Sequence, residues 1–187
     1  MSNEASAAIA STVTAWGIDP AHTHAQFKVR HMMISNVKGE FTKLTGTARI
    51  DSGDITRSSV EVAVDVASIS TRDPQRDGHL KSPDFFDVEK YPTINFRSTR
   101  ISRTADGGIE VAGDLTIHGV TKPAVFEVDG PTPETKDPWG NTRIGVEATT
   151  SIDRKDFGLT WNSNLETGGV LVGDKVTITV DVEFVKK

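Results

Sequence analysis

Apolar and polar residues alternate along most of the chain, which is the pattern of β-strands with one face buried. Residues 60–66 place four valines on one face, and residues 176–184 repeat this pattern near the C-terminus. The alternation recurs at residues 27–31, 44–50, 94–96, 109–117, 124–128 and 144–152. The sequence therefore predicts an all-β protein of about eight strands.

Turn-forming residues separate these segments, for example at residues 51–54, 106–108 and 129–131. Such short connections predict antiparallel hairpins and meanders. Several predicted strands reach about ten residues, which suits the tilted strands of a barrel better than the average of roughly five or six. Closure into a barrel also removes exposed sheet edges. We therefore expect an eight-stranded antiparallel β-barrel.

Two segments, 74–88 and 153–165, do not alternate and are predicted to form one or two short helices that act as a lid. In the first, Pro83 and Asp84 precede Phe85 and Phe86, and we expect Asp84 to cap a helical turn that points both rings inward. Residues 1–14 are rich in Ser, Ala and Thr and are expected to form a disordered leader. Residues 15–187 then form a single barrel domain.

Composition narrows the classes of partner. The 187 residues are 36% hydrophobic and 25% charged, which is typical of a globular domain. There is no cysteine, so disulfides and thiol chemistry are excluded. The net charge of -5 predicts repulsion from nucleic acid and from anionic lipid surfaces. We expect no nucleic-acid partner.

The first 15 residues contain Glu4, no Lys or Arg, and no apolar run long enough for a secretory signal. No stretch approaches the ~20 consecutive apolar residues of a membrane-spanning helix. These observations predict a cytoplasmic protein without stable membrane insertion.

The histidines are the first candidates for chemistry at neutral pH. His22 and His24 are two residues apart and are a candidate metal-binding or structural pair, although His22 also fits a turn histidine. His31 continues the apolar face formed by Phe27 and Val29 and is expected to be partly buried. His31 or His118 is a candidate acid or base of an enzyme for a small apolar substrate. No paired partner, nucleophile elbow or phosphate-binding loop supports that alternative.

A basic cluster lies beside the predicted lid and consists of Arg72, Arg76, His79 and Lys81. In an acidic protein it is a candidate site for an anionic head group. The alternative is a charged loop that only faces solvent, because runs of charged residues are usually solvated.

The order of motifs resembles the YceI-like family. The resemblance begins with WGIDPAHT at 16–23 and FKVRHM at 27–32, and continues with GEF at 39–41. It extends through HLKSPDFFDVEKYP at 79–92, GDLTIHGVTK at 113–122 and RKDFGL at 154–159. The match covers nearly everything from Trp16 to Val185.

The resemblance implies an extended, lipocalin-like, eight-stranded barrel with an apolar cavity that binds a polyisoprenoid lipid, either an isoprenoid quinone or a prenyl pyrophosphate. It implies binding for carriage, storage or sequestration, without catalysis, metal or cofactor. Many relatives are periplasmic, and homodimer formation is left open. The ligand-binding residues are expected on inward faces and on the lid: Phe27, Val29, His31, Phe41, Phe85, Phe86, Phe96, Leu115 and Trp161.

Overall fold

The structure is a computed structural model that describes residues 12–187. Within these residues it contains twelve strands and one α-helix, which confirms the predicted all-β class. In chain order the elements are β1 (Val13–Ile18), β2 (His24–His31), β3 (Ser35–Phe41), β4 (Leu44–Asp51), β5 (Ser59–Asp65), β6 (Ile69–Ser70), α1 (Pro74–Lys81), β7 (Thr93–Arg103), β8 (Ile109–Ile117), β9 (Val120–Asp129), β10 (Thr135–Lys136), β11 (Thr142–Asp153) and β12 (Val172–Lys186).

The sheet closes on itself through β11, which pairs with β9 on one side and with β12 on the other. The ring runs β11, β9, β8, β7, β5, β4, β1 and β12, and every neighbouring pair in it is antiparallel. The predicted eight-stranded antiparallel barrel is therefore confirmed. Each of these eight strands pairs with a neighbour on both sides. Outside the ring, residues 35–39 of β3 pair with β2 alone, because β6 reaches only residues 40 and 41.

The structure has more strand segments than the predicted eight because two strands of the wall are interrupted. Strands β1 and β2 pair with the same edge of β12, through Ile18 opposite Phe184 and His24 opposite Asp181. A 3₁₀ turn at Pro20–His22 separates them. Asp19 accepts a hydrogen bond from the Ala21 N–H, and proline lacks the N–H that a ladder requires. Strands β3 and β4 are split in the same way, because they pair with β2 and β1 in turn.

The interior is packed in three groups of buried side chains. One surrounds Leu44 and Val66, a second surrounds Leu115 and Phe157, and a third surrounds Trp16 and Phe184. Val180 on β12 packs against all three groups. Val180 therefore marks the middle of the barrel interior.

Both non-alternating segments contain helical structure at the barrel end where β2, β5 and β11 finish. Helix α1 occupies the first, and a 3₁₀ helix at Arg154–Phe157 occupies the second. Asp73 caps α1 by accepting from the N–H groups of Gln75 and Arg76. The predicted cap of the turn that carries Phe85 and Phe86 was wrong: the Asp84 carboxylate contacts the His79 ring at 2.8 Å, and the Ser82 hydroxyl accepts from the Asp84 N–H. Among residues 12–187 no helix has the length and apolarity needed to cross a membrane.

The domain boundary also differs from the prediction. Strand β1 begins at Val13, which pairs with Asp51, so the barrel starts two residues before residue 15. The rest of the predicted leader, residues 1–11, lies outside the described residues.

Candidate ligand-binding cavity

An apolar cavity of about 280 Å³ lies inside the barrel. Alternate residues of the strands line it because successive side chains point to opposite faces of a strand. Val62 on β5 and Ile178 on β12 are examples. Leu80 and Phe86 line it near α1, whereas Ile55 and Pro131 line it near the opposite end of the barrel. The cavity thus extends along the barrel axis, and its volume is just below the roughly 300–1,000 Å³ usual for ligand pockets.

Aromatic rings form the cavity wall near α1. Phe27 and Phe41 have ring centroids 5.7 Å apart, and Phe41 contacts Phe86 edge to face. Gly39 lies opposite Phe27 in the ladder, and a Cβ at this position would collide with the Phe27 ring. The absence of a side chain at residue 39 therefore gives the Phe27 ring its space.

A second aromatic pair lies on the wall formed by β7, β8 and β9. Phe96 and Phe126 meet in a T-shaped contact at 5.0 Å, beside the buried Leu115. Gly113 again leaves room, since a Cβ there would collide with the Phe96 ring and the Arg97 carbonyl oxygen. Gly39 and Gly113 thus leave room for the rings of Phe27 and Phe96.

Seven of the nine side chains predicted to bind ligand line the cavity; their role as ligand contacts stays a prediction. They are Phe27, Val29, Phe41, Phe85, Phe86, Phe96 and Leu115.

The other two, His31 and Trp161, do not line the cavity, and their placement corrects the prediction. His31 ends β2, where Val172 lies opposite it and takes the lining position. His31 is half-buried, as predicted, and the extra residues of the register shift between β2 and β12 lie on β12, between Val172 and Val176. Trp161 packs on the outside of Phe85, with ring centroids 5.2 Å apart.

Sequence reasoning did not include Arg154 in the site. Its guanidinium is buried at the α1 end and donates hydrogen bonds to the carbonyls of Leu159, Trp161 and Gly173 at 2.6, 2.9 and 2.8 Å. Burial lowers the pKa of Arg154 below its ordinary value. Its side chain also lines the cavity. A lone Arg after a predicted strand gives no signal of this role. Inward alternation could have identified other omitted residues, such as Val180.

The basic cluster lies outside the cavity, and two of its members are engaged by the protein. Arg76 donates to the Thr71 side chain and carbonyl at 2.7 and 2.9 Å. The His79 ring is 2.8 Å from Asp84 and packs against Trp161. Arg72 is exposed and Lys81 is half-buried. The four residues therefore do not form one shared pocket, and a head-group role for them stays a prediction.

His22 and His24 face different partners. His22 Nδ1 is 3.0 Å from Asp19, and His24 Nδ1 is 3.9 Å from Glu40. Asp19, His22 and Glu183 do bring ligand-type atoms within 4.8 Å of one another. However, Arg143 Nη1 lies 2.5 Å from an oxygen of both Asp19 and Glu183. A cation of the protein itself therefore occupies the centre of this group.

The Arg143 guanidinium also lowers the pKa values of two neighbouring carboxyl groups, Asp19 and Asp137. The hydrogen bond from Arg143, followed by the contact with His22, lowers the pKa of Asp19 from 3.8 to about 2. Burial alone would raise the pKa of Asp137, but hydrogen bonds from Asn141 and Arg143 outweigh it and hold that pKa below its ordinary value. The cluster is a structural ion network at the end of the barrel opposite α1.

His118 lies outside the cavity lining as well. Its φ is 52°, its ring contacts the Phe157 carbonyl through Nδ1 at 3.3 Å, and Tyr91 packs against it at 4.6 Å. The tight turn between β8 and β9 explains this position. Neither histidine of the enzyme alternative, His31 or His118, lines the apolar cavity.

Taken together, the closed antiparallel ring and its apolar interior define a β-barrel built around an enclosed space. The sequence model of the YceI-like domain matches residues 16–184. The chain therefore belongs to the YceI-like family.

Known proteins agree with this assignment. A UPF0312 protein of Vibrio cholerae is 42% identical over 139 residues, which cover 74% of this chain and 73% of the relative. A Campylobacter jejuni YceI protein of known structure is 29% identical, with a TM-score of 0.70 over 86% of this chain and 91% of its own. A polyisoprenoid binding domain from Saccharophagus degradans shares the fold at 16% identity, with a TM-score of 0.67 over 93% of this chain and 99% of its own.

Proposed function

We propose that the protein binds a polyisoprenoid or a similar lipophile inside the barrel, as an isoprenoid quinone or a prenyl pyrophosphate, and carries, stores or sequesters it without changing it chemically. The observation that carries the proposal is the apolar cavity along the barrel axis. The fold shared with a polyisoprenoid binding domain supports this ligand class.

The chemistry of the cavity favours a hydrocarbon chain. Aliphatic and aromatic side chains provide nearly all of the lining, from Phe27 and Phe86 near α1 to Val60 and Ile109 farther along the barrel. Each methylene transferred from water to such surroundings is worth roughly 0.8 kcal/mol. A branched chain can therefore be held tightly without a charged or catalytic group.

A cavity-filling variant tests this proposal on the protein itself. Val180 lies at the middle of the cavity, so Val180→Phe should place a ring in the ligand path and abolish lipid binding. Val180 lines the cavity, so the added ring has space to enter, and we expect the fold to persist at a cost of about 1–3 kcal/mol. Thr179→Phe is the matched control, because the neighbouring residue on β12 points to the other face of the strand.

The measurement is native mass spectrometry followed by denaturing extraction of each purified protein. The wild type and Thr179→Phe should release an isoprenoid on unfolding, and Val180→Phe should release none. If the wild type is reproducibly empty and takes up neither added quinone nor added prenyl pyrophosphate, the proposal fails. Equal loading of a folded Val180→Phe variant would also contradict the assigned ligand path.

A further inference from the structure

The hairpin β2–β3 ends in a turn that displays three large apolar residues. Met32 and Met33 connect the strands together with Ile34, and the exposed fractions of Met33 and Ile34 are 53% and 76%. Turns at strand ends usually carry polar residues or glycine. This tip therefore presents apolar side chains to solvent, while the Met32 N–H donates to the Leu171 carbonyl at 2.8 Å and holds the turn against the neighbouring segment.

The backbone of the turn makes these residue types unexpected. Met32 and Met33 have φ values of 50° and 64°, and the Ile34 N–H donates to the His31 carbonyl at 3.1 Å. Positive φ at two successive turn residues favours Asn and Gly and is unfavourable for other side chains. Turn stability therefore does not explain the methionines. Backbone strain of this kind is concentrated at functional sites.

The outer face of the same hairpin is basic. Phe27 and Val29 line the cavity, so Lys28 and Arg30 point outward. Arg30 also donates to the Met33 carbonyl from Nε and Nη2, at 3.2 and 3.0 Å, which holds its charge beside the tip. Lys38 lies directly opposite Lys28 in the ladder, a like-charge pair that destabilises a sheet. Outside its histidines the hairpin carries three cations, Lys28, Arg30 and Lys38, against one carboxylate, Glu40. This local excess of cations reverses the sign of the whole chain, whose net charge is -5.

We propose that the β2–β3 hairpin is a docking surface for an anionic phospholipid membrane, in which Met32, Met33 and Ile34 insert among the lipids while Lys28, Arg30 and Lys38 contact the head groups. Complementary charge and an apolar tip are the two requirements of shallow interfacial binding. Val29, two residues before the end of β2, lines the cavity, so docking brings this end of the cavity to the lipid surface.

The test is co-sedimentation with vesicles of phosphatidylcholine alone and of equal parts phosphatidylcholine and phosphatidylglycerol. The vesicles contain no isoprenoid, so the result is independent of the cargo proposed above. The wild type should sediment with the anionic vesicles only. Lys28→Gln with Lys38→Gln should weaken this binding roughly 30-fold, because each basic residue near an anionic surface contributes about fivefold or more. Arg100→Gln with Arg103→Gln removes the same charge from exposed positions on β7 and should leave binding unchanged.

A second variant separates the role of the tip from folding. Met32→Asn with Met33→Gly fits the positive φ values and should unfold at the same temperature as the wild type or above it. It should nevertheless lose binding by roughly tenfold or more, since the apolar anchor is gone. Equal binding to neutral and anionic vesicles would overturn the proposal, as would an equal loss in the β7 control. A tip variant that changes self-association on gel filtration while vesicle binding persists would assign the surface to a second copy instead.

Discussion

Phe41 on β3 and Phe86 after α1 meet edge to face, with ring centroids 5.8 Å apart. Phe86 belongs to a segment that the turn following α1 folds back over the barrel, where the Phe86 N–H donates to the Leu80 carbonyl at 2.9 Å. The two rings therefore join the helical segment to the strand wall. This contact lies on the cavity surface, so barrel stability and cavity shape depend on the same pair.

Phe86→Ala should remove one ring of this pair and enlarge the cavity. The expected loss in the free energy of unfolding is about 2–4 kcal/mol, because truncation of a buried Phe costs roughly 3–5 kcal/mol and Phe86 is half-buried. Urea denaturation of the ligand-free protein measures it. Val125→Ala, at an exposed apolar position, is the control and should change stability by no more than about 0.5 kcal/mol.

Arg143→Leu should lower stability at neutral pH and flatten its dependence on acid. The folded pKa of Asp19 is about 2 against an ordinary 3.8, so the ionised carboxyl stabilises the fold above that ordinary value. This stabilisation is lost as the pH falls from 3.8 to about 2. Denaturation curves across this window should be steep for the wild type and shallower for the variant. Arg97→Gln, which removes an exposed pair with Glu61, should keep the wild-type slope.

Arg154→Lys should destabilise the barrel end near α1. Lysine cannot reproduce the planar set of donors that holds the Leu159, Trp161 and Gly173 carbonyls, and buried acceptors without donors are costly. We expect a loss of about 2–4 kcal/mol on urea denaturation and faster proteolysis between residues 159 and 171. Lys155→Gln removes an exposed ion pair with Asp174 and should cost about 0–1 kcal/mol. Equal effects of the two substitutions would contradict the structural role of Arg154.

Trp16→Phe should be tolerated far better than its burial suggests. Trp16 is 2% exposed, yet its indole N–H has no hydrogen-bond acceptor among residues 12–187. Removing this donor offsets part of the lost packing, so the free energy of unfolding should change by about 1 kcal/mol or less. Trp16→Ala should cost roughly 3–5 kcal/mol, as expected for a large buried ring. Equal destabilisation of Trp16→Phe and Trp16→Ala would contradict the proposed cost of the unpaired indole N–H.

Alternation predicted the barrel well because a closed sheet with one buried face imposes a strict period of two. Residues 176–184 were recognised as a strand, and β12 extends this stretch to Val172–Lys186. The interruption between β1 and β2 was not predicted as a feature within one strand of the wall. Asp19 and Pro20 indicate a turn, but only the ladder of β12 shows that the chain resumes on the same edge.

The sequence predicted the cavity lining correctly for residues in the middle of strands, but not for residues at strand ends or in loops. Phe96 and Leu115 lie on inward faces as their positions require. His31 and Trp161 lie outside the cavity lining: β2 ends at His31, and Trp161 packs against Phe85, which itself lines the cavity. The net charge of -5 likewise could not locate the cations Lys28, Arg30 and Lys38 on β2 and β3, because a sum carries no information about position.

The barrel is closed unequally on the two sides of β11. The ladder to β12 joins residues 143–153 to residues 175–185, whereas the ladder to β9 consists of three residue pairs at residues 147–149. Separating β11 from β9 therefore breaks far fewer backbone hydrogen bonds than separating it from β12. Of the two sides of β11, the one facing β9 is the weaker seam of the wall, and local opening of the barrel should begin there.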